Sequence, residues 1–263
     1  MRLDLFLVEN NYFESRQKAQ LYIKDGFVVV NGKVISKASF EVGSGDIVEV
    51  IKKNRDFVSL GGFKIQKAID DFKISLSDKI ILDIGASTGG FTDCAIQNGA
   101  KLVYALDVGT NQLHSLLRNN SKVIFFENTD IRDFCVEKLN GHKVDWIVAD
   151  LSFISFMKYF DFCPKFLDDS GKIIVLIKPQ FEAGFDNIGK NGIVNNFAVH
   201  LKILDDINNF LNLRGFFINN ITYAPVLKNK NIEYLVLISN QICTKIDFKA
   251  IVNEAFEKKK GND

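Results

Sequence analysis

Cysteine is scarce in this 263-residue chain, and none of its four cysteines pairs in C-x-x-C spacing. Cys94, Cys135, Cys163 and Cys243 lie far apart, so neither a metal site nor a disulfide framework is indicated, and they read as reduced, small core residues. Proline occurs three times, which reflects compositional bias more than function. Long apolar runs are missing as well: no segment approaches the roughly 20 apolar residues that a membrane span needs. Met1-Arg2-Leu3-Asp4 puts an acid inside what would be a signal peptide's apolar stretch. The expected compartment is therefore the cytoplasm, with no membrane partner. A dominant charge is absent too, since 33 basic against 32 acidic side chains leave a net charge of +1. That excludes a polybasic or strongly acidic tail, and any nucleic-acid binding must come from charge segregated by face. What is present is a globular balance, 47% apolar and 25% charged. The length fits one to two domains of about 100–200 residues each.

The start of the chain has a rhythm of its own. A short helix is expected around Leu3 to Asn10, and Ser15 is placed to cap a second helix through Lys24, which Gly26 closes. Phe27 to Val30, Asn31-Gly32 and Lys33-Val34-Ile35 spell a hairpin, because Asn-Gly accepts the positive φ that a type I′ turn demands. Gly43-Ser44-Gly45-Asp46 then turns the chain into another strand, Ile47 to Ile51. The polar stretch Lys52 to Asp56 reads as a linker and places the domain boundary near residues 52–60. Beyond it, strands are expected near 80–84, 102–107, 122–126, 144–149, 172–177, 216–222 and 232–239, and helices near 62–72, 90–98, 111–118, 155–166 and 195–213. Runs such as Ile173-Ile174-Val175-Leu176-Ile177 suit strands buried on both faces, the mark of a parallel sheet covered by helices. Residues 223–231 are too few for a helical crossover, so the last two strands are expected to run antiparallel. The fold class expected is α/β, a seven-stranded Rossmann-like sheet behind a small N-terminal module.

The most informative segment is a buried strand from Ile81 that runs into the turn Gly85-Ala86-Ser87-Thr88-Gly89-Gly90-Phe91-Thr92 and opens a helix. Such a turn lets a ligand approach the backbone at the carboxyl end of a parallel sheet. Three ligand classes compete for it. Gly85 and Gly90 have the G-x-x-x-x-G spacing of a P-loop and Thr92 fits the hydroxyl, but Phe91 stands where the phosphate-binding lysine must be. For NAD the G-x-G-x-x-G order is absent, although Asp107 ends the next strand at a suitable distance for a ribose. S-adenosylmethionine sites combine an acid before the turn with an acid at the end of the next strand, as Asp83 and Asp107 do. Asp107 can accept both ribose hydroxyls, and Asp130, after the third strand, could meet the adenine edge. Against this stands the plain alternative that the glycines make a tight turn and the acids cap helices. On the turn alone the two weigh evenly, and the added acids favour a cofactor site.

If the reaction is methyl transfer, two acceptor chemistries lack their residues. Amino methylation of bases uses an Asp-Pro-Pro-aromatic type motif, whereas the chain reads Asp150-Leu151-Ser152-Phe153. Carbon-5 methylation uses a cysteine after proline, whereas Cys163-Pro164 has the reverse order. Charged groups at strand ends remain. Lys178 stands between a five-residue apolar run and Pro179, Glu233 begins the final strand, and Lys64 lies on the domain's first helix. Lys64 and Lys67 taken singly read as surface lysines off the stripe formed by Ile65, Ala68, Ile69 and Phe72. A buried lysine beside a second cation can act as a general base, which suits removal of a proton from a hydroxyl of high pKa such as a ribose 2′-OH.

Several segments carry a resemblance together: Arg2-Leu3-Asp4, Ser15-Arg16 and Asn31-Gly32; Val58-Ser59-Leu60-Gly61-Gly62-Phe63-Lys64; Asp83 to Thr92; Asp150 to Ser155; Lys178-Pro179-Gln180-Phe181-Glu182; and Asn231-Ile232-Glu233-Tyr234. Over nearly its whole length the chain resembles the TlyA family, the cytidine 2′-O-methyltransferases of bacterial ribosomal RNA, themselves similar to FtsJ-like ribose methyltransferases. The resemblance implies an αL-type RNA-binding domain of ribosomal-protein kind over residues 1–54, a linker over 55–60 and an S-adenosylmethionine-dependent methyltransferase domain over 61–263. It implies a catalytic tetrad of Lys64, Asp150, Lys178 and Glu233, in which Lys178 activates the 2′-oxygen, Asp150 and Glu233 orient it, and Lys64 positions the ribose. Cofactor binding is implied for Asp83, Gly85, Ala86, Ser87, Thr88, Gly89, Gly90, Phe91, Thr92, Asp107 and Asp130. Phosphate contacts are implied for Arg2, Arg16, Lys18, Lys24, Lys33, Lys37 and Arg55, with ribosomal RNA in the subunits as the partner. Phe57 stands for the tryptophan of the family's linker, Leu60 for a basic residue before the paired glycines, and Ala38 for a proline after the hairpin. The chain begins at the first module, as the family's shorter form does, which favours large-subunit RNA, with small-subunit RNA as a further substrate. Two other readings stay open: a non-catalytic RNA-binding assembly factor, and a cytolysin, after the haemolysin label the family has carried.

Overall fold

The computed structural model describes residues 1–13, 15–24, 26–50, 57–227, 230–242 and 246–261, without the side chains of residues 17, 21, 24 and 261. Lys52 to Asp56, Arg55 among them, therefore lie outside the described residues, as do Cys243 and the side chain of Lys24. The chain divides into two compact units, Met1–Asp56 and Phe57–Asp263.

In the first unit, α1 (Leu3–Glu9) and α2 (Arg16–Lys24) precede a small antiparallel sheet of β1 (Val28–Val30), β2 (Lys33–Val34) and β3 (Val48–Val50), in the order β2-β1-β3. Asn31 and Gly32 turn the hairpin with φ of +51° and +76°, both positive as a type I′ turn requires. The Asn31 side chain also receives the Ile47 N–H at 2.9 Å and donates to Asp46 at 2.7 Å, which fixes where β3 enters. Leu3, Leu7, Ala19, Ile23 and Val28 are fully buried and form the core. Asp4 is also fully buried. It is held by Arg2 Nε at 3.0 Å, Arg16 at 3.0 Å and the Gln20 amide at 2.6 Å. The Arg2 guanidinium beside it keeps the Asp4 carboxyl well below the usual carboxylate range.

The second unit is the α/β fold the strand pattern predicts. In chain order it runs α3 (Gly61–Phe72), β4 (Ile80–Ile84), α4 (Gly90–Gln97), β5 (Leu102–Leu106), α5 (Ser115–Arg118), β6 (Val123–Phe126), β7 (Val144–Ala149), α6 (Phe156–Tyr159), β8 (Leu167–Ile177), α7 (Pro179–Glu182), α8 (Phe197–Asn212), β9 (Phe217–Tyr223), β10 (Tyr234–Ser239) and α9 (Phe248–Gly261). The seven strands lie in the order β6-β5-β4-β7-β8-β10-β9. Strands β4 to β8 pair in parallel, and β10 runs antiparallel to both β8 and β9. The last strand of the chain thus inserts between two earlier ones instead of closing the edge.

Several elements differ from expectation: β8 starts at Leu167 instead of near 172, and α7 is not among the expected helices. The helix expected over 155–166 breaks into α6 and two 3₁₀ turns, because Pro164 supplies no N–H, the Phe156 ring packs on Tyr159 and Phe160, and Phe156 and Phe160 both pack on Phe210. The helix expected over 111–118 shrinks to α5, since Asn111 is left-handed at φ +55° and the His114 side chain caps the late start. The final helix α9 has no counterpart in the expectation, although Phe248, Ile251, Val252, Ala255 and Phe256 recur at helical spacing and pack on the main core.

Candidate active site

Two glycine pairs set the site's frame. An added Cβ on Gly90, the first residue of α4, would lie 2.2 Å from Ser59 Oγ and 2.8 Å from the Gly62 nitrogen. The starts of α3 and α4 touch backbone to backbone there, and Val58 N–H donates to Asp93 of α4 at 2.7 Å. That contact sets the position of α3, on which Phe63, Ile65, Ala68 and Ile69 turn inward while Lys64 faces the carboxyl end of the sheet.

Four charged side chains meet at that end. Lys64 Nζ lies 2.8 Å from Glu233 and 4.0 Å from Asp150, and Lys178 Nζ lies 2.6 Å from the other oxygen of Asp150. Each comes from a different segment: α3, the end of β7, the end of β8 and the start of β10. Tyr234 pairs with Ile177 across β10 and β8, which brings Glu233 beside Lys178. The four side chains are between 10% and 25% exposed, shielded yet open to a substrate. Lys178 also donates to Ser152 Oγ at 2.9 Å. Lys67, by contrast, is committed to Asp71 and Thr222 and covers the Tyr223 ring.

Asp150 lines a cavity of about 510 Å³ that follows the ends of β4, β5, β6 and β7, the location where open α/β sheets bind ligands. Leu106, Val108, Ile131, Leu151 and Ile154 give it an apolar slot. Asp107 stands at its wall and accepts from Ser87 N–H and Gly109 N–H, each at 2.7 Å. Each of its oxygens keeps a lone pair for a further donor. Asp130 also lines the cavity, but Arg132 bonds both of its oxygens at 2.9 and 2.6 Å and holds its carboxyl below the usual range. Gly85, at φ +80°, lets the turn lie against Leu151 and the Asp150 carbonyl, which a Cβ would meet at 2.6 and 3.1 Å. An apolar slot beside a carboxylate with spare acceptors fits an adenosine-bearing cofactor.

The glycine turn contributes less to the cavity than its sequence implies. Gly85 and Ser87 line it, whereas Ala86, Thr88, Gly89, Gly90, Phe91 and Thr92 do not. Gly89 lies under Leu117 and Leu113, Phe91 packs near Gly61, and Ala86 joins a small core with Ala105 and Val123. Asp83 lies beneath the cavity and not on its wall: it is fully buried and accepts from Thr92 Oγ1 at 2.6 Å, while its second oxygen has no partner among the described residues. Burial pushes its carboxyl up to about 7. Thr92 and Asp83 together tie α4 to β4. Cys163, the reversed Cys-Pro neighbour, is buried, and burial pushes its thiol up to about 12, far from nucleophilic use.

Sequence reasoning assigned no role to three residues that the structure places here. Phe153 stands at the cavity rim with its ring 90% exposed and its backbone at φ +65°. Ser152 receives Lys178, and Arg132 holds Asp130. The signal for the first two was the segment Asp150 to Phe153 itself, read for the prolines it lacks. In the first unit Lys33 and Lys37 are exposed and Lys18 is half-buried, whereas Arg2 and Arg16 spend part of each guanidinium on Asp4. A larger depression of about 830 Å³ between α8, β9 and the start of α9 shares no residue with the tetrad or the glycine turn.

Comparison with known proteins points the same way. The profile of FtsJ-like methyltransferases matches residues 57–240, and that of the S4 domain matches residues 1–48. A Brachyspira hyodysenteriae protein named Hemolysin A is 43% identical over 236 residues, 89% of this chain and 98% of its own. The 23S rRNA (cytidine-2′-O)-methyltransferase TlyA of Campylobacter jejuni is 35% identical over 259 residues, 89% of this chain and 97% of its own. A solved Streptococcus thermophilus structure described as a hemolysin superposes with a TM-score of 0.78 at 36% identity, covering 100% of this chain and 98% of that one.

Proposed function

This chain belongs to the FtsJ-like methyltransferase family and carries an S4 domain, and on that premise we propose that it methylates the 2′-oxygen of a cytidine in ribosomal RNA, the large-subunit RNA first. The reading is carried by one observation, the ion-paired row Glu233, Lys64, Asp150 and Lys178 at the rim of the cofactor-sized cavity. S-adenosylmethionine, when bound, supplies an electrophilic methyl group. Asp107 would hold its ribose hydroxyls, and Leu106, Val108, Ile131 and Leu151 its adenine.

The chain's own residues handle the proton. In its neutral form Lys178 Nζ has a lone pair to take it from the 2′-hydroxyl, and Asp150, 2.6 Å away, stabilises the ammonium that results. Ser152 fixes the direction of Nζ. Lys64 places a positive charge beside the oxygen as it gains negative character, and Glu233, at 2.8 Å, keeps Lys64 from swinging outward. The exposed ring of Phe153 offers a stacking face for the unpaired base, the usual means of holding a splayed nucleotide. Lys33 and Lys37 of the S4 domain, with the outward N–H groups of Arg2 and Arg16, would contact backbone phosphates.

The test is transfer of labelled methyl groups to ribosomal subunits lacking the modification, followed by mass-spectrometric mapping of the nucleotide. The expected product is a single 2′-O-methylcytidine. No transfer to either subunit or to naked rRNA would leave an RNA-binding assembly factor as the function.

A further inference from the structure

We propose that Glu182, which lies outside the charged row, is a positioning residue for methyl transfer. Through two hydrogen bonds it locks the segment 150–156, and with it Asp150 and Phe153, to the chain that continues from Lys178. The inference rests on the methyl-transfer reading of this site.

Glu182 closes α7, four residues after Lys178. Its Oε2 accepts from Ser155 Oγ at 2.6 Å and its Oε1 accepts from Phe156 N–H at 2.7 Å. Phe156 begins α6, and Ser155 does not cap that helix with its own side chain. The first of the N–H groups that a helix start leaves without an intrahelical partner is taken here by a carboxylate 26 residues further along. Burial raises the Glu182 carboxyl above its ordinary range. A carboxylate held in that environment is repaid only by donors as well placed as these two.

The reason for so costly a clamp lies between its partners. Phe153 is left-handed at φ +65°, a conformation that a bulky residue holds only where its surroundings over-determine it. On its N-terminal side Ser152 is bonded to Lys178 at 2.9 Å, and on its C-terminal side Ser155 and Phe156 are bonded to Glu182. The Phe181 ring, next to Glu182, lies 5.2 Å from the Phe153 ring. With the Lys178–Asp150 ion pair, two strand-end segments are thus joined at four places, and the strained residue sits between the Ser152 and Glu182 joints. Glu182 does not line the cavity, so it acts through Asp150 and Phe153, which do.

The test uses the full-length chain, with kcat and KM for S-adenosylmethionine measured on subunits lacking the modification. Glu182→Ala is expected to lower kcat roughly 30-fold or more, and by more than it raises KM for S-adenosylmethionine, since Asp107 lies outside the clamped segment and misplacement near 1 Å suffices for such a loss. Glu182→Gln should restore kcat to within about threefold, because its amide oxygen still accepts from Phe156 and its amide nitrogen can donate to Ser155 Oγ. Ser155→Ala, which removes one joint without touching Glu182, should fall between them. An alanine variant as fast as the unaltered chain, or a glutamine variant as slow as alanine, would overturn the proposal. A thermal-unfolding cycle supplies an arm that needs no catalysis. The loss of melting temperature caused by Glu182→Ala should shrink in a Phe153→Gly background, where no strain remains to be held. Equal losses in both backgrounds would overturn the clamp. Failure of the enzyme reading would show separately, as inactivity of the unaltered chain.

Discussion

In the proposed mechanism Lys178 and Asp107 divide the site's work between proton and cofactor, and the division is measurable. Lys178 touches Asp150 and Ser152 but is not part of the cavity wall. Lys178→Ala should therefore lower methyl transfer about 10³-fold, within the usual range for a removed general base, while calorimetric titration finds S-adenosylmethionine affinity nearly unchanged. Asp107→Ala should do the opposite and weaken cofactor binding roughly 10- to 100-fold, the worth of hydrogen bonds to a charged acceptor. Equal loss of binding in both variants would contradict the assignment. Asp83 carries a pH signature. Its buried carboxyl titrates near 7, above its unfolded value, so the unfolded chain gives up this proton first as pH rises. Stability that Asp83 contributes at acid pH is thus lost between about pH 4 and pH 7 and stays lost above that. Asp83→Asn, neutral throughout, should gain on the unaltered chain across that window by a few kcal/mol, read from urea unfolding at several pH values. Parallel curves would mean that Asp83 stays ionised throughout.

At the scale of elements, α3 reaches the site only because α4 lets it approach. Gly90→Ala puts a Cβ against Ser59 Oγ and the Gly62 backbone, and backbone cannot turn aside as a side chain can. The expected cost is about 1–3 kcal/mol, a fall of several degrees in melting temperature. Because α3 carries Lys64, kcat should fall with it, whereas cofactor affinity should hold. Gly45→Ala, where an added Cβ meets nothing within 4 Å, is the neutral control. The short α6 and its neighbouring turns obey the same logic: aromatic packing and Pro164 decide where helix stops, and the Glu182 clamp decides where it starts.

For the whole molecule, a net charge of +1 leaves recognition of RNA to the placement of a few cations. Arg2 and Arg16 are partly consumed by buried Asp4, so among the described candidates the fully outward charges are Lys33 and Lys37. Exchanging both for glutamate should weaken binding to ribosomal subunits and flatten its salt dependence by about 0.7–0.9 in log–log slope per lost phosphate contact. Cofactor affinity should not change. An unaltered salt slope would remove these lysines from the interface. Among the described residues no helix is long and apolar enough to cross a membrane.

The sequence by itself determined the fold class, the Asn31-Gly32 hairpin and the pattern of acid, glycines and acid along β4 and β5, because these depend on period and on residues a few positions apart. It also marked Lys178, through the apolar run and proline that flank it. Missed signals account for α9 and the short α6: the helical stripe was present, and Pro164 was in view. Only the tertiary structure decided that Lys64 meets Glu233 across 169 residues, that Phe91 and Thr92 lie away from the cavity, and that Asp83 lies beneath it. Alternation of apolar residues is the same whatever the order of strands, and β10 could pair at an edge or inside the sheet without changing one residue of its pattern. Its insertion beside β8 is what brings Glu233 to Lys64 and Lys178, and that choice belongs to the packing of the whole sheet.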